Sequence, residues 1–299
     1  MSLATAAGHA ADPSPMPGGG PMVAPAGPAA DAPALERARG RVVVGFAAAG
    51  GPTRLATLFQ AGSAKARLPR VHGGMPVAVL INTAGGLAGG DRMTAEIRVG
   101  DGAAAVATSQ AAERLYRSTG AAARVATTLS VGAGGRLDWL PQETIVFDGG
   151  RLERSTTVAL AGDARFLGIE SFVLGRAAMG ETVRRAAIED HWRIRRDGRL
   201  VFADALRLVG DPTAILAGPA TGGGARAFAT LVLAAPDAAG RLDAARALLA
   251  ASGAEGGVSL VGEVLVARLV APEGAALRRA LGGIVEGLSQ APLPRVWSC

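Results

Sequence analysis

Any chemistry in this sequence has to come from carboxylates. Asp91, Asp138, Glu143, Asp148, Glu170 and Glu181 stand in glycine-rich or aromatic settings. Two such groups at the right separation can share acid–base work, and several in a row can line a path for a divalent cation. Each also fits a plainer reading, as a turn residue or as the partner of one of the many arginines. Other reactive types are scarce. The histidines are His9, His72 and His191, far apart in sequence, and the one cysteine is Cys299, which leaves no multi-cysteine zinc or iron–sulfur site. The sole lysine, Lys65, lies in Gly62-Ser63-Ala64-Lys65-Ala66, which fits no phosphate-binding P-loop, and no Gly-x-Ser-x-Gly nucleophile elbow occurs.

The charge balance adds little to that chemistry. Lys and Arg number 31 against 25 Asp and Glu, for a net charge of +6 over 299 residues. A basic chain suggests a polyanionic partner, but here the arginines alternate with acids along the whole sequence, and aromatics make up only 4%, too few for a base-stacking platform. A solvated, mixed-charge surface follows, with no nucleic-acid partner. The first basic residue is Arg37, so residues 1–36 lack the positive start of a secretory leader. The longest apolar runs fall short of the ~18 residues of a membrane helix. The expectation is a soluble, cytoplasmic protein with no membrane partner.

The elements that must hold these carboxylates are mostly strands. Residues 1–36 are Ala, Pro and Gly with no periodic apolar face and read as a disordered tail, while residues 37–299 read as a single domain. Beyond residue 41, β-branched or alternating runs are punctuated by glycine turns every ~8–12 residues, the spacing of an all-β architecture. Strands are expected at 41–46, 76–82, 93–99, 103–108, 124–131, 137–140, 144–147, 155–160 and 166–174. Asp197-Gly198 between two alternating arms at 191–202 predicts a type I′ hairpin. Residues 258–270 read as one or two strands. Helical periodicity comes late, over 237–251 with Asp237 as cap and Gly253 beyond the far end, and over 275–288.

Five segments in order then carry a resemblance. They are NTAGGLAGGDR (82–92), SQAAERLYRS (109–118), LDWLPQETIVFDG (137–149), LGRAAMGE (174–181) and LPRVW (293–297). The first is glycine-rich like a phosphate loop, but no helix pattern follows it, so it reads as a sharp loop between strands. Together, over about residues 40–298, the set resembles the urease accessory protein family UreD, called UreH in some bacteria. Ala84 stands where many members place proline, and the leader has no counterpart there.

The resemblance implies a mainly β, solenoid-like fold of two facing sheets with a few helices toward the C-terminus. It also implies a role without catalysis: a maturation chaperone that works with UreF and the GTPase UreG, in a two-fold complex docked on apo-urease, so that nickel reaches the dinickel site. The missing P-loop is then expected, since nucleotide chemistry belongs to a partner. Thiolates and clustered imidazoles trap nickel, whereas isolated carboxylates and waters release it. A chain with many carboxylates suits transient Ni²⁺ passage with no permanently bound cofactor.

By analogy with the family, Asp91 and Glu181 are the first candidates to line a passage, with Glu143 and Asp148 next. Equally, Asp91 suits a turn, Glu181 a pair with Arg176, and Glu143 a strand-flanking charge. Tyr116, Arg117 and Arg176 are candidates for partner contacts, because tyrosine and arginine are enriched at interface hot spots. Trp139 and Trp297 look like packing anchors, and an apolar docking surface would make the isolated chain poorly soluble. The alternative is a β-solenoid carbohydrate hydrolase or lyase using paired carboxylates, which would turn over substrate alone.

Overall fold

Alternating side chains from residue 39 onward force the backbone into strands, because only an extended chain puts every second residue on one face. The computed structural model describes residues 36–48, 50–72 and 74–298; the predicted tail lies outside them apart from Glu36. Strands are numbered here in chain order. One sheet has seven: β1 (Arg39–Ala47), β2 (Arg54–Gly62), β5 (Arg92–Val99), β8 (Ala123–Val131), β11 (Gly150–Leu160), β13 (Ala186–Arg196) and β14 (Arg199–Gly210). The ten-stranded sheet holds β3 (Ala64–Arg67), β4 (Val77–Asn82), β6 (Ala104–Ser109), β7 (Glu113–Leu115) and β9 (Arg136–Leu140). It is completed by β10 (Thr144–Val146), β12 (Arg165–Leu174), β15 (Ala227–Ala234), β16 (Glu255–Val261) and β17 (Val264–Ala271).

From β4 to β13 the chain shuttles between the sheets, leaving a strand in one and then the other. Strands β5, β8, β11 and β13 therefore stack in parallel in the first sheet, and β4, β6, β9 and β12 in the second. This is the solenoid-like, two-sheet arrangement expected, in which each coil buries its inner face against its neighbours. The Asp197-Gly198 turn joins β13 and β14 with φ of 48° and 81°, the left-handed pair that a type I′ hairpin requires.

Some elements differ from expectation for identifiable reasons. Strand β11 begins at Gly150, not residue 155, because its strict inside–outside alternation runs through Leu152 and Arg154. Strand β2 is an exposed edge with little burial contrast, and β15 lies between β12 and β17 with apolar residues on both faces, so neither shows a clean period of two. Residues 258–270 resolve into β16 and β17, an antiparallel pair. A short helix, α1 (Pro212–Leu216), was not anticipated.

The later helices are α2 (Leu242–Ser252) and α3 (Gly274–Ser289). Asp237 does not cap α2: a 3-10 turn at Ala239–Arg241 intervenes, and the Asp237 carboxylate pairs with Arg165 and Arg241 instead. Gly253 does end α2, in the left-handed conformation at φ 69°. Leu277, Leu281, Ile284, Val285 and Leu288 of α3 pack with Leu231, Leu265 and Trp297 on the outer face of the ten-stranded sheet.

The space between the sheets holds two separate apolar clusters. Along β11, Leu152 belongs to one and Val158 and Leu160 to the other; along β12, Phe172 and Phe166 are divided in the same way; along β13, Ile188 and Trp192. The residues between them, Arg154, Thr156, Glu170 and Asp190, are polar and buried. A polar layer thus crosses the middle of an apolar sandwich.

Candidate functional site

The polar layer centres on one guanidinium. Strand parity turns Arg154 inward, and its Nη1 donates to Glu170 Oε1 at 2.7 Å from the facing sheet. Its Nε and Nη2 donate in parallel to both oxygens of Asp190 on the adjacent strand, at 3.2 and 2.9 Å. Thr144 Oγ1 accepts from Nη1 at 3.3 Å, and the guanidinium lies 4.6 Å over the Phe172 ring. Side-chain exposure is 9% for Arg154, 6% for Glu170 and 5% for Asp190. Two carboxylates share one cation, and burial pushes Glu170 up to about 8 despite Arg154, with Asp190 adding to the rise.

Beside this triad is a cavity of about 230 Å³, whose lining includes Glu170, Asp190, Trp192, Asp204, Thr230 and Arg268. It has room for water, and Glu170, Asp190, Asp204 and Thr230 bring oxygen atoms to a lining that is otherwise largely apolar, with Phe172, Leu206, Leu208 and Phe228 among its walls. The buried Nε1 of Trp192 has no hydrogen-bond partner in the protein.

Five of the residues singled out by sequence converge elsewhere, at one end of the sandwich around Phe147. Tyr116 meets the Phe147 ring edge-on at 5.2 Å, and the Arg176 guanidinium covers it at 4.3 Å. Glu181 Oε2 accepts from Arg176 Nε at 2.7 Å and from its backbone N–H at 3.1 Å, while Oε1 accepts from the Asp148 N–H at 3.1 Å. Asp148 Oδ1 accepts from the amides of Arg184 and Arg185 at 2.8 and 2.9 Å. Arg117 forms an isolated antiparallel bridge to Gly150. The Arg185 amide, with that of Arg184, holds Asp148 below the usual carboxylate range. Burial acts to raise Glu181, but Arg176 and the Asp148 amide outweigh it and leave the group lowered.

The other two sequence candidates sit apart. Asp91 ends the glycine-rich loop between β4 and β5, with Oδ2 accepting from the Ala88 amide at 2.7 Å and Oδ1 from the Ala38 amide at 2.8 Å. No helix follows that loop, and Tyr116 Oη ties it down by donating to Gly85 O at 2.9 Å. Glu143 accepts from Arg278 Nη2 with both oxygens, at 2.7 and 2.9 Å, and fastens α3 to the sheet. Asp138 similarly joins Arg136 and Ser289. Near the loop, burial raises Glu113, whose carboxylate accepts from Asn82 Nδ2.

Among the described residues no three His, Cys, Asp or Glu side chains gather as ligands for a metal ion. Arg154 and Asp190 escaped sequence reasoning, as did the weight of Glu170. A signal for Arg154 was available: Leu152, Arg154, Thr156 and Val158 share one parity, which places a charge on a face otherwise committed to the core. Also among the described residues, no helix is long and apolar enough to cross a membrane.

Comparison with known proteins agrees with the motifs. The profile of the UreD urease accessory protein family matches residues 38–298. The urease accessory protein UreD of Methylobacterium sp. (strain 4-46) is 52% identical over 271 residues, covering 89% of this chain and 96% of that protein. That of Xanthobacter autotrophicus is 49% identical, covering 88% and 91%, and that of Azorhizobium caulinodans 46% identical, covering 90% and 99%. With its two-sheet solenoid, its five motifs in register and relatives matched along nearly their whole length, the chain belongs to the UreD family of urease accessory proteins.

Proposed function

We propose that this chain acts in urease maturation as a non-catalytic conduit, working in the cytoplasm with UreF and the GTPase UreG in a two-fold assembly that brings nickel to apo-urease. The observation that carries the reading is the charged layer between the sheets. Evolved cores exclude charge unless it is compensated, and here Arg154, Glu170 and Asp190 cross the centre of an apolar sandwich beside a cavity that one further carboxylate, Asp204, also lines. Oxygen donors already shared with a guanidinium hold a divalent cation weakly, which favours release over storage. Nickel is cargo in this scheme, and no step makes or breaks a covalent bond.

The Phe147 end supplies the docking side of the role. Tyr116, Arg117 and Arg176 form a half-exposed aromatic and cationic surface, pinned from beneath by Glu181 and Asp148. Asp91 keeps its loop in the shape that Tyr116 grips. In this reading Asp91, Glu143, Asp148 and Glu181 meet the ion through carboxylate edges left over from these structural bonds.

The test is activation of apo-urease with nickel, GTP, UreF and UreG, with and without this chain. Activation is expected to fall several-fold without it; undiminished activation overturns the reading. Asp91→Ala and Glu181→Ala should leave the assembly intact on gel filtration while lowering nickel incorporation, and loss of the assembly instead assigns both residues structural roles.

A further inference from the structure

The two long sides of the sandwich are closed differently. On one side the chain itself runs across, from β2 of the seven-stranded sheet through Gly62 and Ser63 into β3 of the ten-stranded sheet. On the opposite side β14 and β16 are the free edges of the two sheets, and among the described residues no β-ladder joins them. That side is spanned by apolar packing, with Phe202 of β14 and Val264 and Val266 of β17 in one buried cluster, and by two ion pairs: Arg268 Nη2 donates to Asp204 Oδ1 at 2.7 Å, and Arg199 Nη2 to Glu263 Oε1 at 2.5 Å.

Only the first of these pairs lies on the inter-sheet cavity. Arg268 and Asp204 both line it, and exposure falls inward from 65% at the Arg268 side chain, through 21% at Asp204, to about 5% at Asp190. Arg268 comes from β17 and Asp204 from β14, so the bond runs from one sheet to the other across the cavity's outer rim. Swinging the long arginine side chain outward removes it without breaking a backbone hydrogen bond, whereas the far side cannot part without moving the chain.

We infer that the Arg268–Asp204 pair is a gate on the inter-sheet cavity, and that small cations reach the Glu170–Asp190 floor from solvent when it opens. A positive charge at the rim of a cavity that holds three acids, Glu170, Asp190 and Asp204, opposes entry of free cations while closed, and its release uncovers Asp204 as a first oxygen ligand. The inference deepens the conduit reading and rests on it for the identity of the cargo.

The experiment measures access directly. Cys299 is the only cysteine, so a Cys299→Ser background carrying Thr230→Cys places one thiol on the cavity lining. The full-length chain is labelled with the small cationic reagent methanethiosulfonate ethylammonium, and the rate is followed by mass spectrometry. Arg268→Gln should raise the rate about three- to five-fold, the range of opening equilibrium that a half-exposed ion pair controls. Asp204→Asn tests the same bond from the other sheet and should act alike. Arg199→Gln removes the neighbouring pair, which does not line the cavity, and should leave the rate within about two-fold. Unchanged rates in both gate variants overturn the inference, as does an equal rise in Arg199→Gln. Because no urease is present, a failed gate leaves the conduit reading standing, and failed urease activation alongside a raised labelling rate removes the conduit while keeping the gate.

Discussion

Arg154 and Glu170 meet across the gap between the two sheets, Nη1 to Oε1 at 2.7 Å, both less than a tenth exposed. The contact joins β11 of one sheet to β12 of the other in the middle of the sandwich, where apolar packing would otherwise be continuous. A buried cation set between two acids is poor evidence of a stabilising device, because desolvating such a cluster of ionisable groups costs more than most ion pairs return.

Arg154→Met removes the counter-charge from Glu170 and Asp190 together. The expected loss is about 3–5 kcal/mol of unfolding free energy, read as a lower urea midpoint. Adding Glu170→Gln and Asp190→Asn to that variant should restore much of it, since amides tolerate the site without a cation. A loss below about 1 kcal/mol in the single variant would contradict the description of the layer as desolvated.

Glu170 sets a pH dependence opposite to that of an ordinary surface acid. Its folded value near 8 lies above the 4.5 of the free group, so the folded state holds the proton more tightly than the unfolded chain does. Stability therefore declines as pH rises from about 4.5 to 8, and Glu170→Gln should flatten that slope. Arg154, Asp190 and the Ser171 amide act on the same carboxylate and stay in place in the variant. Thermal melts at pH 5, 6, 7 and 8 with parallel trends in both proteins would disprove the assignment.

Glu181→Ala unpins Arg176 from its place over Phe147 and leaves the Asp148 amide without its acceptor. A loss of about 1–3 kcal/mol is expected at pH 7. Glu181 is held below its usual 4.5, so its contribution is present above that value and fades as pH falls through the folded one. The gap between the two proteins should accordingly narrow in melts at pH 3; a constant gap means the carboxylate charge is not what matters.

The loop before β5 depends on a close approach at Gly86. A Cβ there would sit 2.3 Å from the Tyr116 ring and 2.8 Å from Arg114 O, on a backbone at φ 150°. Gly86→Ala should cost about 1–3 kcal/mol. Tyr116→Phe loses only the bond to Gly85 O and should cost about 0.5–1.5 kcal/mol. The reverse ranking in urea titrations would mean the loop is held by the hydroxyl and not by the contact.

Much of this architecture was legible in the residue pattern because strand parity is local. Residues 93–99 and 124–131 alternate visibly, and Asp197-Gly198 can hardly be anything but a tight hairpin. Strands β2 and β15 were not legible, one being exposed almost throughout and the other apolar on both faces, so neither carries a period to detect. Asp237 looked like a helix cap because the apolar spacing begins just after it, but the 3-10 turn moved the helix start and gave its carboxylate to two arginines.

The sequence by itself determined the strand-rich character, the late helices and, through five ordered motifs, the family. It also brought forward Tyr116, Asp148, Arg176 and Glu181, which turn out to be neighbours. Tertiary structure alone decided that Arg154, Glu170 and Asp190 share one layer and that Arg268 reaches Asp204. Residues 154 and 190 meet because consecutive coils stack in register, and residue 170 joins them because it lies on the opposite wall of the same coil. Which coil faces which depends on the packing of every strand between them, and no window of sequence contains that information.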